Sequence, residues 1–236
     1  MITESSVIYK IASRYWRKLP GEMRLSLWKL VQRGEYQRIR FHGKTFVNGI
    51  DRSKSYRQLF PALPIGKSIL DAGSKLGYYS LRACQEGAQY CRAVEQDEWC
   101  VNKLEEIVAA LGLKNLEVVQ ADILSYAIDK DFDIVLCLNL VHHFETIERV
   151  EALLDALYLH ARERLALIVL APDDLHQPVT YDQEPDVMGG KRFLRIPPSY
   201  FASKYGQARV HVQQAITYGP NRYAITITKS AAPVAE

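Results

Sequence analysis

Sulfur is scarce in this sequence, which holds only four cysteines, at positions 84, 91, 100 and 137, and three methionines. The cysteines form no Cys-x-x-Cys spacing and no cluster with histidine. A structural zinc or a disulfide framework is therefore not expected, no metal site is assigned, and the reducing cytoplasm is the expected compartment. Long apolar runs are missing as well. The longest, residues 165–172 (LALIVLAP), falls far short of the ~20 residues of a membrane span. The N-terminus shows no apolar core of a secretory signal, and neither internal repeats nor low-complexity tracts are evident. Two nucleotide-binding signatures are also incomplete. The turn at residues 73–78 (GSKLGY) has a lysine at the middle glycine of G-x-G-x-x-G and lacks the third, which weakens a dinucleotide reading, and the want of G-K-[ST] excludes a P-loop.

What is present is a chain of 236 residues, 48% hydrophobic, able to bury a sizeable core as one domain with an extension. The extension is residues 1–60 and the domain residues 61–236. Residues 1–60 carry 13 Lys+Arg against 4 Asp+Glu, and residues 61–236 carry 17 against 23, so a front of net +9 precedes a body of net −6. Such an asymmetry suggests that the front faces something anionic. Residues 7–33 carry helical spacing on either side of a break at Leu19-Pro20-Gly21. Basic residues stand beside Trp16 and Trp28 on amphipathic faces, a pattern suited to an anionic membrane surface or a nucleic-acid backbone. The alternative is a pair of helices packed on the main domain with solvated lysines and arginines. Residues 34–60 read as a polar, partly extended connector with a helix over 55–60, whose Arg52, Lys54, Tyr56 and Arg57 either reach over a cleft or lie on the surface.

From Lys67 the pattern alternates strand and helix. Strands are predicted over 68–70, 90–95, 116–120, 133–140 and 165–171. Helices are predicted over 78–86, from a cap at Asp97 to a stop at Gly112, as a short piece over 123–127, and over 145–162. Continuous apolar strands between helices indicate an α/β fold with a parallel sheet covered on both faces. After a long loop at 172–196 and a short helix at 198–205, strands over 209–218 and 222–229 form a hairpin around Gly219-Pro220-Asn221, which makes one strand antiparallel.

In open parallel sheets, ligands sit beyond the carboxyl ends of the strands. Those ends carry Asp71, Glu95, Asp122 and Asn139. Glu95, with Gln96 beside it, stands where a carboxylate accepts from two ribose hydroxyls. Asp122 and the Ile123 amide stand where an adenine amine and ring nitrogen would be read. Asp71 is left for an amino or sulfonium group, and three converging acids are a poor setting for phosphate.

These residues resemble class I S-adenosylmethionine-dependent methyltransferases, whose first strand ends in D-x-G-x-G-x-G, whose second ends in an acid, and whose third is followed by one. Here the matching features are DAGSKLG at 71–77, Glu95, Asp122 and the terminal hairpin. The loop GSKLGYYS is similar to branches that include O-methyltransferases of polysaccharide and natural-product clusters, and wobble-uridine tRNA alkyltransferases. LNLVHHF at 138–144 is similar to a strand-four ending of small-molecule methyltransferases. The resemblance implies a seven-stranded, mostly parallel Rossmann-like methyltransferase sheet with an antiparallel C-terminal hairpin, plus the basic helical N-terminal extension. It also implies S-adenosyl-L-methionine as cofactor, held by Asp71, Gly73, Ser74, Gly77, Tyr78, Glu95, Gln96, Asp122, Ile123, Asn139 and Leu140. Lys75 departs from the pattern, and its side chain either turns away from the cofactor or pairs with the methionine carboxylate.

Methyl transfer to oxygen benefits from a general base. His142 and His143, just after the fourth strand, are the candidates, with His143 preferred; the pair otherwise caps its loop. His176, Tyr181, Asp182, Arg192 and Arg195 lie in the long loop expected to cover an acceptor. The expected function is methyl transfer to a small-molecule, carbohydrate or lipid-linked acceptor, with peripheral contact of residues 7–33 to the inner membrane face. An RNA (tRNA) methyltransferase, with nucleic acid as the less favoured partner, and a non-catalytic cofactor-binding subunit are the competing readings.

Overall fold

The computed structural model describes residues 37–41, 44–182 and 193–229. The basic helices expected over 7–33 lie outside the described residues. An antiparallel ribbon, β1 (Ile39–Phe41) with β2 (Lys44–Val47), leads into α1 (Ser53–Leu59). Strands and helices then alternate: β3 (Ser68–Ala72), α2 (Tyr78–Gln85), β4 (Tyr90–Glu95), α3 (Glu98–Leu111) and β5 (Leu116–Gln120). They continue as β6 (Phe132–Leu138), α4 (Ile147–Leu159) and β7 (Ala161–Leu170). A second ribbon, β8 (Thr180–Asp182) with β9 (Phe193–Arg195), precedes α5 (Pro198–Tyr205), β10 (Val210–Gln214) and β11 (Arg222–Thr228).

Seven strands make one sheet in the order β10-β11-β7-β6-β3-β4-β5. β3 to β7 are parallel, and β11 runs antiparallel to both its neighbours. This is the mostly parallel α/β sheet that the alternation predicts, closed by the antiparallel strand of the expected hairpin. Alternate residues of each strand serve opposite faces: Ile69, Ala93, Ile134 and Ile168 pack with α1, α2 and α3 through Tyr56, Leu81 and Leu104. On the other face Leu70, Val135 and Leu167 pack with α4 and α5 through Leu154 and Phe201. Ile39, Val47, Tyr56 and Leu59 belong to the first of these cores, so β1, β2 and α1 pack onto the domain rather than trail from it.

Local chemistry sets the element ends. The Asp97 carboxylate accepts from the Cys100 amide at 2.8 Å and starts α3, and Gly112, at φ 63°, stops it. Four expectations are corrected. The helix expected over 145–162 stops at Leu159. Its last residues join β7, because Ala161 pairs with Phe132 and the Phe132 amide donates to the His160 carbonyl. The piece over 123–127 is a turn, in which the Asp122 carboxylate accepts from Leu124 N and competes with helix. β6 ends two residues early because Asn139 takes a left-handed φ of 54°. The hairpin's first strand stops at Gln214, and Thr217, at φ 67°, leaves the ladder to meet α1.

The N-terminal edge of the sheet is pinned across β3 and β6. The Asp133 carboxylate accepts from the Ser68 amide at 2.7 Å and the Ser68 hydroxyl at 2.8 Å. Burial pushes its pKa up, but the two Ser68 donors outweigh that and hold it below the usual carboxylate range. Asp133→Ala is expected to cost about 2 kcal/mol in urea unfolding at neutral pH. A carboxyl whose folded pKa is depressed stabilises above its unfolded pKa and loses that contribution as pH falls through the folded value. The gap between variant and parent should therefore close below about pH 4; a gap unchanged by acid would contradict the pin.

Candidate functional site

The loop between β3 and α2 is folded back onto the end of β4. Gly73 N and Ser74 N donate to the Val94 carbonyl at 2.9 and 3.1 Å. Lys75 N donates to Glu95 Oε2 at 2.8 Å. Three consecutive loop amides are thus consumed by the neighbouring strand, and a phosphate would find no backbone cradle in them. Gly77 takes φ 68°, and a Cβ there would stand 2.6 Å from Leu104, so the α2 entry tolerates no side chain. Lys75 also takes a left-handed φ, 52°, which explains why glycine suits this position.

Glu95 is held from two sides, since its Oε1 also accepts from Asp97 N at 2.9 Å. Both oxygens therefore point from the β4 end with orientation fixed, each with a lone pair left for a hydroxyl donor. Asp71 lies beneath the loop, 2% exposed, and accepts from the Ser80 hydroxyl at 2.6 Å. Burial raises its pKa to about 6, with Ser80 opposing and Glu95 adding to the shift. A cation nearby would relieve that buried charge, whereas an anion would worsen it. Asp122 is exposed and shapes its own turn, with Ile123 buried and Gln96 exposed beside the same strand ends. Ser74 Oγ and both polar atoms of Asn139 are buried and find no hydrogen-bond partner among the described residues. Such groups are costly unless something satisfies them, and they stand at the ends of the adjacent strands β3 and β6. Leu140 lies against Gly73, 3.1 Å from where a Cβ would be. Tyr78 is a core residue, edge-on to Tyr56 and Tyr79, with its side chain buried.

After β6, the two histidines part company. His142 is 2% exposed and His143 is exposed, their rings 4.1 Å apart and both against Phe193 of β9. Arg222 Nη1 stands 3.1 Å from His142 Nδ1 and 3.2 Å from Nε2. A guanidinium can only donate, so it needs the lone pair of a neutral imidazole. Burial first, then Arg222 and His143, push the His142 pKa down to about 2. A base that weak, with its lone pair engaged, takes no proton at neutral pH.

A cluster of hydroxyls stands at the same end of the sheet. Ser55 Oγ lies 3.0 Å from Tyr79 Oη and 3.2 Å from Thr217 Oγ1, and Tyr79 Oη lies 2.7 Å from Tyr218 Oη. Arg52 is buried, donates to the Thr217 carbonyl, and stacks 3.9 Å over the Tyr218 ring. α1, the start of α2 and the β10–β11 turn are thereby tied together. Of the candidates in the connector, Arg52 belongs to this cluster and Tyr56 to the core, while Lys54 and Arg57 are exposed. Among the loop candidates His176 and Tyr181 are exposed and Arg195 Nη1 donates to the Ala171 carbonyl at 3.1 Å. Arg192 and the Asp182 side chain lie outside the described residues. Arg222, Phe193, Ser55, Thr217 and Tyr218 were not singled out from the sequence, since their roles arise from contacts such as the 162-residue separation of Ser55 and Thr217.

Residues 69–163 match the family model of a methyltransferase domain. The chain is 34% identical over 71 residues to the ribosomal protein L11 methyltransferase of Bacteroides fragilis, which covers 30% of this chain and 25% of that protein. The chain thus spans about a quarter of the length of the curated relatives it matches. Among solved structures it is similar to 1,6-didemethyltoxoflavin-N1-methyltransferase of Burkholderia thailandensis with 1,6-didemethyltoxoflavin and S-adenosylhomocysteine bound. The TM-score is 0.61 at 16% identity, over 75% of this chain and 77% of that one. The N-terminal domain of EvdMO1, solved in the presence of S-adenosylhomocysteine and D-fucose, gives a TM-score of 0.62 at 19% identity, over 91% and 98% of the two chains. At these identities the likeness is one of fold. Among the described residues no helix is long and apolar enough to cross a membrane.

The His142 environment makes a direct prediction. Its folded pKa lies below the unfolded value, so the unfolded chain binds a proton that the native one refuses, and stability is lost as pH falls below about 6.5. In NMR the His142 ring should stay neutral at about pH 5, and His142→Gln should flatten the acid slope of stability. A ring that titrates at the ordinary histidine value would contradict the assigned packing.

Proposed function

We propose that this chain, whose residues 69–163 match the family model of a methyltransferase domain, transfers a methyl group from S-adenosylmethionine to an oxygen of a small-molecule or carbohydrate-type acceptor. The observation that carries the cofactor is the pairing of Glu95, oriented by the Lys75 and Asp97 amides, with unsatisfied Ser74 and Asn139 on the neighbouring strand ends. These residues fit an adenosyl group with a cationic arm. Glu95 would accept from the ribose hydroxyls, and Asp122 and the Ile123 amide would read the adenine. Asp71 would balance the positive charge of the arm from below the loop, and Ser74 and Asn139 would satisfy its polar end. Bound there, the cofactor supplies an electrophilic methyl group.

The chain's own contribution is then to align the acceptor, exclude water and handle one proton. His143, exposed beside Phe193, is placed to take the acceptor's proton, while His142, kept neutral by burial and by Arg222, fixes the turn that presents it. Phe193 supplies an apolar wall. The fold is shared with a domain solved with D-fucose present, which supports an acceptor that carries hydroxyl groups.

Two measurements test this reading. Calorimetry should show uptake of S-adenosylhomocysteine that weakens about 10- to 100-fold in Glu95→Ala, the worth of charge-assisted hydrogen bonds. With Asp71 titrating at about 6, uptake should weaken as pH falls through that value, and Asp71→Asn should remove the dependence; no uptake by the parent protein would end the proposal. Once an acceptor is in hand, His143→Ala should lower kcat about 10²-fold or more. Near-normal turnover of that variant across the neutral pH range would remove His143 from the reaction.

A further inference from the structure

Away from the strand ends just described, the edge of the sheet holds a second recess, about 280 Å³ in volume, between α1 and strands β7, β11 and β10. Its floor follows from register: Thr228 pairs with Arg164, and Thr226 pairs with both Ala166 and His211. Arg164, Thr226, Thr228 and His211 therefore face the same way and line it, with Gln213 at its rim. Arg164 is the unusual member. It stands in a strand whose following residues, Leu165 to Val169, are fully buried. Its Nε is buried with no hydrogen-bond partner among the described residues, and its guanidinium lies 5.6 Å from the Phe60 ring. The adjacent carboxylate, Glu163, belongs to the opposite face of the strand, where it pairs with Lys67. Among the described residues, none that lines it is acidic.

Arg164 is half-buried, and burial presses its pKa down against the opposing pull of Glu163; a guanidinium nitrogen buried without a hydrogen-bond partner is costly. The cost is offset when an anion docks, since guanidinium offers paired donors to oxyanions. Thr226 and His211 add donors, while the Thr228 hydroxyl is spent on the Arg209 carbonyl, and the volume exceeds that of one phosphate group. We propose that this recess binds a small tetrahedral oxyanion, a phosphate or a phosphate monoester, with Arg164 as its principal contact. The site is separate from the proposed methyl-transfer site and does not depend on that reading.

The test uses the full chain, with inorganic phosphate and glycerol phosphate as probes and chloride at matched ionic strength as control. Phosphate should raise the melting temperature saturably, by roughly 5–10 °C at a hundredfold excess over Kd, and should broaden its own ³¹P resonance. In Arg164→Gln both effects should vanish, leaving only the weak, unsaturable rise expected of any excluded salt. Thr226→Val, a milder change, should weaken phosphate about fivefold or more and decides the matter if Arg164→Gln does not fold. A stronger response to glycerol phosphate than to phosphate would assign a monoester, and the reverse the free ion. Saturable binding that is equal in the parent and both variants, or no saturable binding by the parent, overturns the proposal.

Discussion

The Glu95 carboxylate, clamped between the amides of Lys75 and Asp97, is the interaction on which the site depends. It does three things at once. It draws the glycine loop onto the end of β4, it starts the turn into α3, and it leaves a fixed acid at the mouth of the sheet. Because the amides of Gly73, Ser74 and Lys75 are spent on β4, the loop that looks superficially like a phosphate grip has nothing to grip with. Charge then decides what can bind. With Glu95 at the mouth and Asp71 buried below, the cleft favours hydroxyls and a cation. The same clamp explains why Lys75 can replace the usual glycine: its amide gains a charged acceptor in return for left-handed backbone, a conformation that costs a non-glycine residue roughly 1–2 kcal/mol.

Around that mouth the chain has placed parts drawn from distant stretches. The β10–β11 turn reaches α1 through Thr217 and Ser55, and reaches α2 through Tyr218 and Tyr79. β9 brings Phe193 against the histidine turn, and β11 brings Arg222. The result is two adjacent histidines in different surroundings. One is buried and kept neutral by that burial and by a guanidinium, and the other is exposed.

Much of this was legible in the sequence because it is local. The strand–loop–helix pattern around 71–77, the Asp97 cap and the Gly112 stop are each set by residues within a few positions, and the structure has them where the pattern predicts. The terminal hairpin and its antiparallel strand were legible for the same reason. The boundary between α4 and β7 was not. ARERL fits either period, and only the pairing of Ala161 with Phe132 resolves it. The turn at Asp122 was misread because a short side chain competed with helix for a backbone amide. Arg222, Phe193 and Thr217 were invisible as site residues, since nothing near them in sequence distinguishes them from ordinary strand and turn positions. Arg164 is the extreme case, a cation just ahead of the apolar run of an interior strand, whose setting appears only when β11 and α1 are laid beside it.

The central claim is spatial: one ligand bridges the ends of β4 and β6 across the glycine loop. The most direct measurement is the structure of the protein with S-adenosylhomocysteine bound. The account predicts both ribose hydroxyls on the Glu95 carboxylate, with Ser74 Oγ and the Asn139 side chain newly partnered by the ligand. A ligand seated elsewhere, or seated there with Glu95 untouched and Ser74 and Asn139 still unpaired, would contradict it.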